Sequence, residues 1–204
     1  MAREAAREDR RRLKNRTQDS EGRPEGRSRR AEKGCRKEIK LMEKSLQETY
    51  APTNQCFGCG PANEKGLRIR SFVKAGPASK GAETEEELVC EFTPEAHHLA
   101  FPGVLNGGIC GALLDCHSNW AAAYHLMTKA GTGVLPCTVT AEFAVTLKRP
   151  TPMSGPIHLS AKVIEWTSDR ATVEATITAG GKVTATCRGI FVAVKEGHPA
   201  FHRW

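Results

Sequence analysis

The 204-residue chain has no run of about 18 apolar residues, so no stretch of it reads as a membrane-crossing helix. Its first residues, MAREAAREDRRR, lack the apolar stretch of a secretory signal. No G-x-G-x-x-G fingerprint follows a strand pattern, which leaves dinucleotide-dependent hydride chemistry without support. No internal repeat and no strand–helix alternation occurs, which argues against a doubly wound parallel sheet. Eight cysteines are present, but only Cys56 and Cys59 are closely spaced, far from the dense framework of a small secreted domain. That usage points to a reducing, intracellular compartment, and a cytoplasmic location is expected.

Net charge is +7, which on its own suggests an anionic partner. The charge is not evenly spread. Residues 1–40 hold 15 Lys and Arg against 8 Asp and Glu, and the remaining residues hold 15 of each. The body is neutral, so nucleic acid is not an expected partner. Residues 1–33 read as a disordered basic leader of Gly, Pro, Ser and charge. The leader is Arg-rich like an organelle transit peptide, although its acidic residues count against that reading. Residues 34–53 form an amphipathic helix and linker, with Ile39, Met42 and Leu46 on one face. Residues 54–204 make one domain ending in the tail GHPAFHRW.

Within that domain, LRIRSFV and ELVCEFT read as strands. One long helix is expected from Gly107 to about Met127, stopping near Gly131 and Gly133. Ile109, Leu113, Cys116, Trp120, Tyr124 and Met127 mark its core stripe, and Gly, Ala and Ser on its other faces imply cover nearly all round. Four strands follow. CTVTAEFAVTLKRP alternates, which predicts Val139, Ala141, Phe143, Val145 and Leu147 on the buried face and Thr138, Thr140 and Glu142 on the other. PIHLSAKVIEW comes next. RATVEATIT then buries Ala171, Val173, Ala175 and Ile177, and a Gly180-Gly181 hairpin leads to KVTATCRGIFVAV. Two strands, one long helix and four strands make an α+β fold, an antiparallel sheet wrapped round one helix.

Asp115 is the lone carboxylate of that apolar helix, and a buried charge needs a partner or a task. Asn106-Gly107-Gly108 opens the helix, where backbone N–H groups and the helix dipole favour developing negative charge. Such a turn can serve as an oxyanion hole for a tetrahedral intermediate at a thioester carbonyl. Gly108 and Asp115 are seven residues apart and share a side, with Asn119 one turn further. The same features also suit a tight turn and a structurally satisfied Asp. His117 is about 200° round the helix from Asp115, which excludes a local acid–base pair and leaves packing or a hydrogen bond. His97 and His98 line the pocket or cap a loop. Cys56-Phe-Gly-Cys59 is half a zinc knuckle, with Cys90, His97 or His98 as completing partners, and the missing second pair leads to the expectation of no metal.

The stretches CFGCGPANEKGLRIR, HHLAFPGVLNGGICGALLDCHSNWAA and TVTAEFAVTLKRPTP, in that order, resemble hotdog-fold acyl-CoA thioesterases of the phenylacetyl-CoA thioesterase (PaaI-like) branch, over residues 54–194. The resemblance implies a hotdog fold, assembly into homodimers or homotetramers, and hydrolysis of an acyl-CoA thioester with no cofactor. It implies Asp115 as nucleophile or general base and Gly108 as N–H donor to the thioester carbonyl. Asn106 falls where His is usual, and its amide can still donate to a carbonyl. Thr140 matches a strand hydroxyl that positions water from the partner subunit. The Cys56–Cys59 loop corresponds to a turn signature. Lys148 and Arg149 are candidates for the coenzyme A phosphates; Arg188 is a weaker one. The alternative is a non-catalytic acyl-CoA sensor or regulator. A passive leader predicts that a chain starting at residue 34 releases coenzyme A at the full-length rate; a large loss of turnover would contradict it.

Overall fold

The computed structural model describes residues 44–74 and 86–201; the leader, Ile39, Met42 and the last three residues lie outside them. Among the described residues the order is α1 (Leu46–Tyr50), β1 (Phe72–Lys74), β2 (Glu87–Phe92), a single 3-10 turn at Ala96–His98, β3 (Leu99–Phe101), β4 (Val104–Leu105), α2 (Gly107–Ala130), β5 (Thr138–Leu147), β6 (Ile157–Trp166), β7 (Arg170–Ala179) and β8 (Lys182–Ala193). Six strands form one antiparallel sheet in the order β1-β2-β6-β7-β8-β5, and β3 and β4 make a separate two-stranded ribbon. No helix among them is long and apolar enough to cross a membrane.

Helix α2 runs unbroken because nothing between its two ends interrupts it. Asn106 caps the start, its Oδ1 accepting the Gly108 N–H at 2.8 Å and the Ile109 N–H at 3.3 Å. Gly131 closes the other end in the left-handed conformation at φ 65°. The sheet wraps α2, which packs against β2, β5, β6, β7 and β8. Leu113, Leu114, Trp120, Ala122 and Ala123 are fully buried, so the helix is covered nearly all round, as its composition implied. A Leu113→Ala change in such a site costs about 2–5 kcal/mol. Gly180 and Gly181 both take positive φ, 55° and 73°, which is the hairpin geometry their sequence demanded.

Several expectations need correction. LRIRSFV is not a strand along its length; only Phe72–Lys74 pairs with β2. Leu67 N–H donates instead to Phe57 O at 2.7 Å and Ile69 N–H to Gly58 O at 3.1 Å, with Arg68 between them at φ 51°. The segment's hydrogen bonds therefore go to the cysteine loop rather than to the sheet. The β3–β4 ribbon was not expected. In β7 Thr172 is buried along with the anticipated apolar positions.

The buried face of β5 also differs. Thr140 pairs with Phe191 and Glu142 with Ile190, so Ala141 is an extra residue, a β-bulge. Before it, Thr138 and Thr140 face α2; after it, Phe143 and Val145 do. One inserted residue exchanges the two faces.

His117 is structural. It is fully buried and donates from Nε2 to the Leu88 carbonyl at 3.2 Å, which leaves Nδ1 to accept from Ser71 Oγ at 2.8 Å. Ser71 Oγ in turn accepts from Gln47 Nε2 at 2.9 Å, and Ser71 N–H donates to Gln47 Oε1 at 2.8 Å. Gln47 belongs to α1, which starts in a capping box between Ser45 and Glu48. The chain thus ties α1, the segment before β1, and β2 to the central helix.

Burial pushes the His117 imidazole down to about 4, partly offset by its bond to Leu88. The unfolded ring takes its proton near pH 6.5. Stability is therefore complete above pH 6.5 and falls as the pH drops from there towards 4, by about 3 kcal/mol. Urea unfolding at pH 7.5 and 4.5 checks this, with a smaller loss expected in His117→Gln. A His117 ring titrating near pH 6.5 by NMR would contradict it. Removing the helix cap with Asn106→Ala is expected to cost about 1 kcal/mol, with Asn106→Asp retaining stability; an unchanged urea midpoint in the alanine variant would show that the cap contributes nothing.

Candidate active site

Polar side chains along α2 meet polar partners on the strands. Thr140 Oγ1 donates to Asp115 Oδ1 at 2.7 Å. One turn on, Thr138 Oγ1 donates to Asn119 Oδ1 at 2.5 Å and Asn119 Nδ2 donates to Thr138 O at 3.4 Å. Ser118 meets the Cys187 sulfur at 3.5 Å. Near the helix start, Cys110 Sγ contacts Thr151 Oγ1 at 3.7 Å, and Thr151 donates to Thr184 Oγ1 at 2.9 Å. Asp115 is half-buried, and its Thr140 contact opens to the surface. This Thr140–Asp115 contact lies within one chain, because the Ala141 bulge turns Thr140 inward. Burial pushes the Cys187 thiol up, and the neighbouring Asp115 charge adds to that.

The first turn of α2 has a definite hydrogen-bond balance. Asn106 Oδ1 takes the N–H groups of Gly108 and Ile109, and Asn106 O takes that of Cys110 at 3.0 Å. Gly108 N–H, the expected carbonyl donor, is thus already engaged. Gly107 N–H has no acceptor among the described residues. Asn106 Nδ2 has none either, since the cap fixes the amide with its oxygen towards the helix. Asn106 is itself held in place, its N–H donating to His98 O at 2.9 Å. His98 therefore caps a loop: it is buried, stacks on Phe92 at 5.6 Å, and accepts Glu95 N–H at Nδ1.

Gly107 lines an apolar groove of about 310 Å³ with Phe101, Leu105, Cys110, Leu147 and Arg149. A Cβ at Gly107 would lie 2.9 Å from Leu147 Cδ1, the tip of a flexible, exposed side chain, so a larger residue here displaces Leu147 at the groove. Arg149 places a cation at its edge. Lys148 does not join it; it borders a separate surface depression with Glu174 and Arg188. Arg188 is engaged there by Glu174 at 3.3 Å and Glu165 at 3.7 Å. Burial pushes the Cys110 thiol up, so the sulfur in the groove stays protonated and poorly nucleophilic. Asp115 is not among the groove's lining residues.

The sequence singled out Asp115, Asn119, Asn106, Gly108 and Thr140, left His98 between pocket and loop, and assigned no site role to Thr138 or Cys116. The last of these completes a cluster with Cys56 and Cys59, in place of Cys90, His97 or His98. An N-cap side chain two residues before Gly108 was the available signal for Gly107, because Asn at that place consumes the next donors.

No protein-family model and no curated protein matches the sequence. Solved structures do match in shape. A thioesterase superfamily protein aligns over 69% of this chain and 61% of its own, at 23% identity and a TM-score of 0.51. A thioesterase superfamily protein from Shewanella loihica PV-4 aligns over 53% of this chain and 84% of its own, at 26% identity and 0.45. The E. coli PaaI protein from the phenylacetic acid degradation operon aligns over 53% and 73%, at 17% identity and 0.45. The first of these, taken with one long helix wrapped by an antiparallel sheet, gives the chain the hotdog fold of that thioesterase superfamily protein.

Proposed function

We propose that the protein hydrolyses an acyl-CoA thioester at a site shared between two copies of the chain. The observation that carries this reading is the division of α2 into two half-sites: a free Gly107 N–H at an apolar groove, and the Asp115–Thr140 pair further along. Eight residues separate Gly107 from Asp115, about 12 Å along the axis and about 80° round it. A reacting carbonyl needs its donor and its attacking group each about 3 Å away. One chain does not bring them to one carbonyl, even with the Asp side chain leaning towards the helix start.

A second copy supplies the missing half. Strand β5 ends the sheet and presents ten residues of unpaired edge, a surface that proteins ordinarily cover. Pairing two β5 edges about a two-fold axis near Phe143 and Ala144 sets Leu147 opposite the partner's Thr140, on one face. Leu147 packs at Gly107 and Thr140 holds Asp115. The Gly107 N–H of one subunit then faces Asp115 of the partner subunit, and the homodimer is the catalytic unit.

The chemistry follows from those groups. The thioester oxygen accepts from Gly107 N–H, with the Asn106 amide as a second donor, so charge developing on it is stabilised. Asp115 then acts in one of two ways. Its carboxylate attacks the carbonyl carbon, the C–S bond breaks with its electron pair going to the coenzyme A sulfur, and water cleaves the anhydride. Otherwise it takes a proton from a water that Thr140 helps orient, and that water attacks. Arg149 at the groove edge suits a coenzyme A phosphate. Lys148 faces a different depression and contributes less.

Release of free coenzyme A thiol from a panel of acyl-CoAs tests the proposal. Asp115→Asn is expected to lower turnover by roughly a hundredfold to ten-thousandfold while acyl-CoA binding and melting temperature hold. Equal turnover in that variant would overturn the role of Asp115. Wild-type binding without turnover would favour an acyl-CoA sensor instead.

A further inference from the structure

The thiols of Cys56, Cys59 and Cys116 take no part in the site just described. Their sulfurs lie within 4.8 Å of one another, brought together from the loop before β1 and from the centre of α2. Cys56 Sγ and Cys116 Sγ are 3.7 Å apart. A tetrahedral zinc ion with Zn–S bonds of about 2.3 Å holds its sulfurs about 3.8 Å apart. A disulfide needs about 2.05 Å and would leave the third sulfur unused.

The loop is shaped round the sulfurs. The backbone of Gly58 and Cys59 beside the Cys56 sulfur favours its thiolate, as the outer shell of a bound thiolate does. Gly60 N–H closes the turn on Cys56 O at 2.8 Å, and Asn54 Oδ1 accepts Cys56 N–H at 2.6 Å. Gly58 lies directly over Cys116: a Cβ there would collide with its sulfur. Leu67 and Ile69 hydrogen-bond to Phe57 and Gly58 from the other side, so the loop is braced before anything binds. Cys59 and Cys116 are buried and Cys56 is at the surface, which gives an ion an entry path and leaves its fourth position to water.

We propose that Cys56, Cys59 and Cys116 form a three-thiolate site for zinc or a chemically similar thiolate-seeking cation, which pins the loop to α2 one residue from Asp115. Three thiolates select such an ion over magnesium or calcium, which prefer oxygen. Binding releases the thiol protons to solvent and involves no change of oxidation state. The role is structural, and it stands whether or not Asp115 hydrolyses thioesters.

The test uses the full chain, purified under reducing conditions, and titrates it with Zn²⁺ alone and with Co²⁺ alone. One ion per chain is expected, with the sulfur-to-cobalt charge-transfer absorption and the intense visible bands of a four-coordinate thiolate site. Cys56→Ser, at the surface and so harmless to the core, is expected to weaken Zn²⁺ binding on the order of a hundredfold and to reduce the charge-transfer band. Cys137→Ser, outside the cluster, is expected to change neither. Binding far below one ion per chain would overturn the proposal, as would unchanged affinity in Cys56→Ser. A Cys56–Cys116 disulfide, found by mass spectrometry in protein that takes up no metal, would also overturn it.

Discussion

Thr140 reaches Asp115 only because β5 carries one residue too many. The bulge at Ala141 sends Thr138 and Thr140 towards the helix and then returns Phe143 and Val145 to the core. Without it the alternation would bury Ala141 and point both threonines outward. Asp115 and Asn119 would then lose the Thr140 and Thr138 hydrogen bonds. Leaving the buried Asn119 without its Thr138 donor costs about 1–3 kcal/mol, so the bulge stabilises the fold beside the candidate site.

The helix start obeys a similar constraint. Four N–H groups open an α-helix with no partner inside it. The Asn106 N–H goes to His98 O, the Asn106 side chain takes those of Gly108 and Ile109, and among the described residues only the Gly107 N–H is left. A donor held rigidly at an apolar groove needs no reorganisation when charge develops on a ligand oxygen. His98 O fixes Asn106, Asn106 selects the donor, and Leu147 Cδ1 lies beside it at the groove. Structure and proposed chemistry thus depend on the same few bonds.

Much of this was legible in the sequence. The long helix could be read because its apolar residues run nearly round the cylinder and Gly131 stops it. Strands β6 to β8 could be read because a period of two and a Gly-Gly turn specify them. The face of β5 could not, because Ala141 carries no mark that distinguishes a bulge from a paired residue. The glycine pair at the helix start was legible as a donor turn, and the resemblance pointed to Gly108 within it; that the Asn106 cap occupies the Gly108 N–H emerges only from the cap geometry. Extended pairing of Leu67 to Arg70 failed for a tertiary one, since those backbone groups bond the cysteine loop. Cys116 was read as part of the helix's core stripe. Only the fold brings it to a pair so far away in the chain.

Mixed dimers test the shared site most directly. Gly107→Pro removes the N–H at the first helical position, where proline is tolerated. Asp115→Asn removes the carboxylate. Each variant alone is expected to be nearly inactive. Unfolding the two together and refolding them as a mixture puts one intact Gly107 and one intact Asp115 into half of the dimers. A site shared across the two-fold then recovers roughly a quarter of wild-type turnover. A mixture as inactive as its components would contradict the shared site.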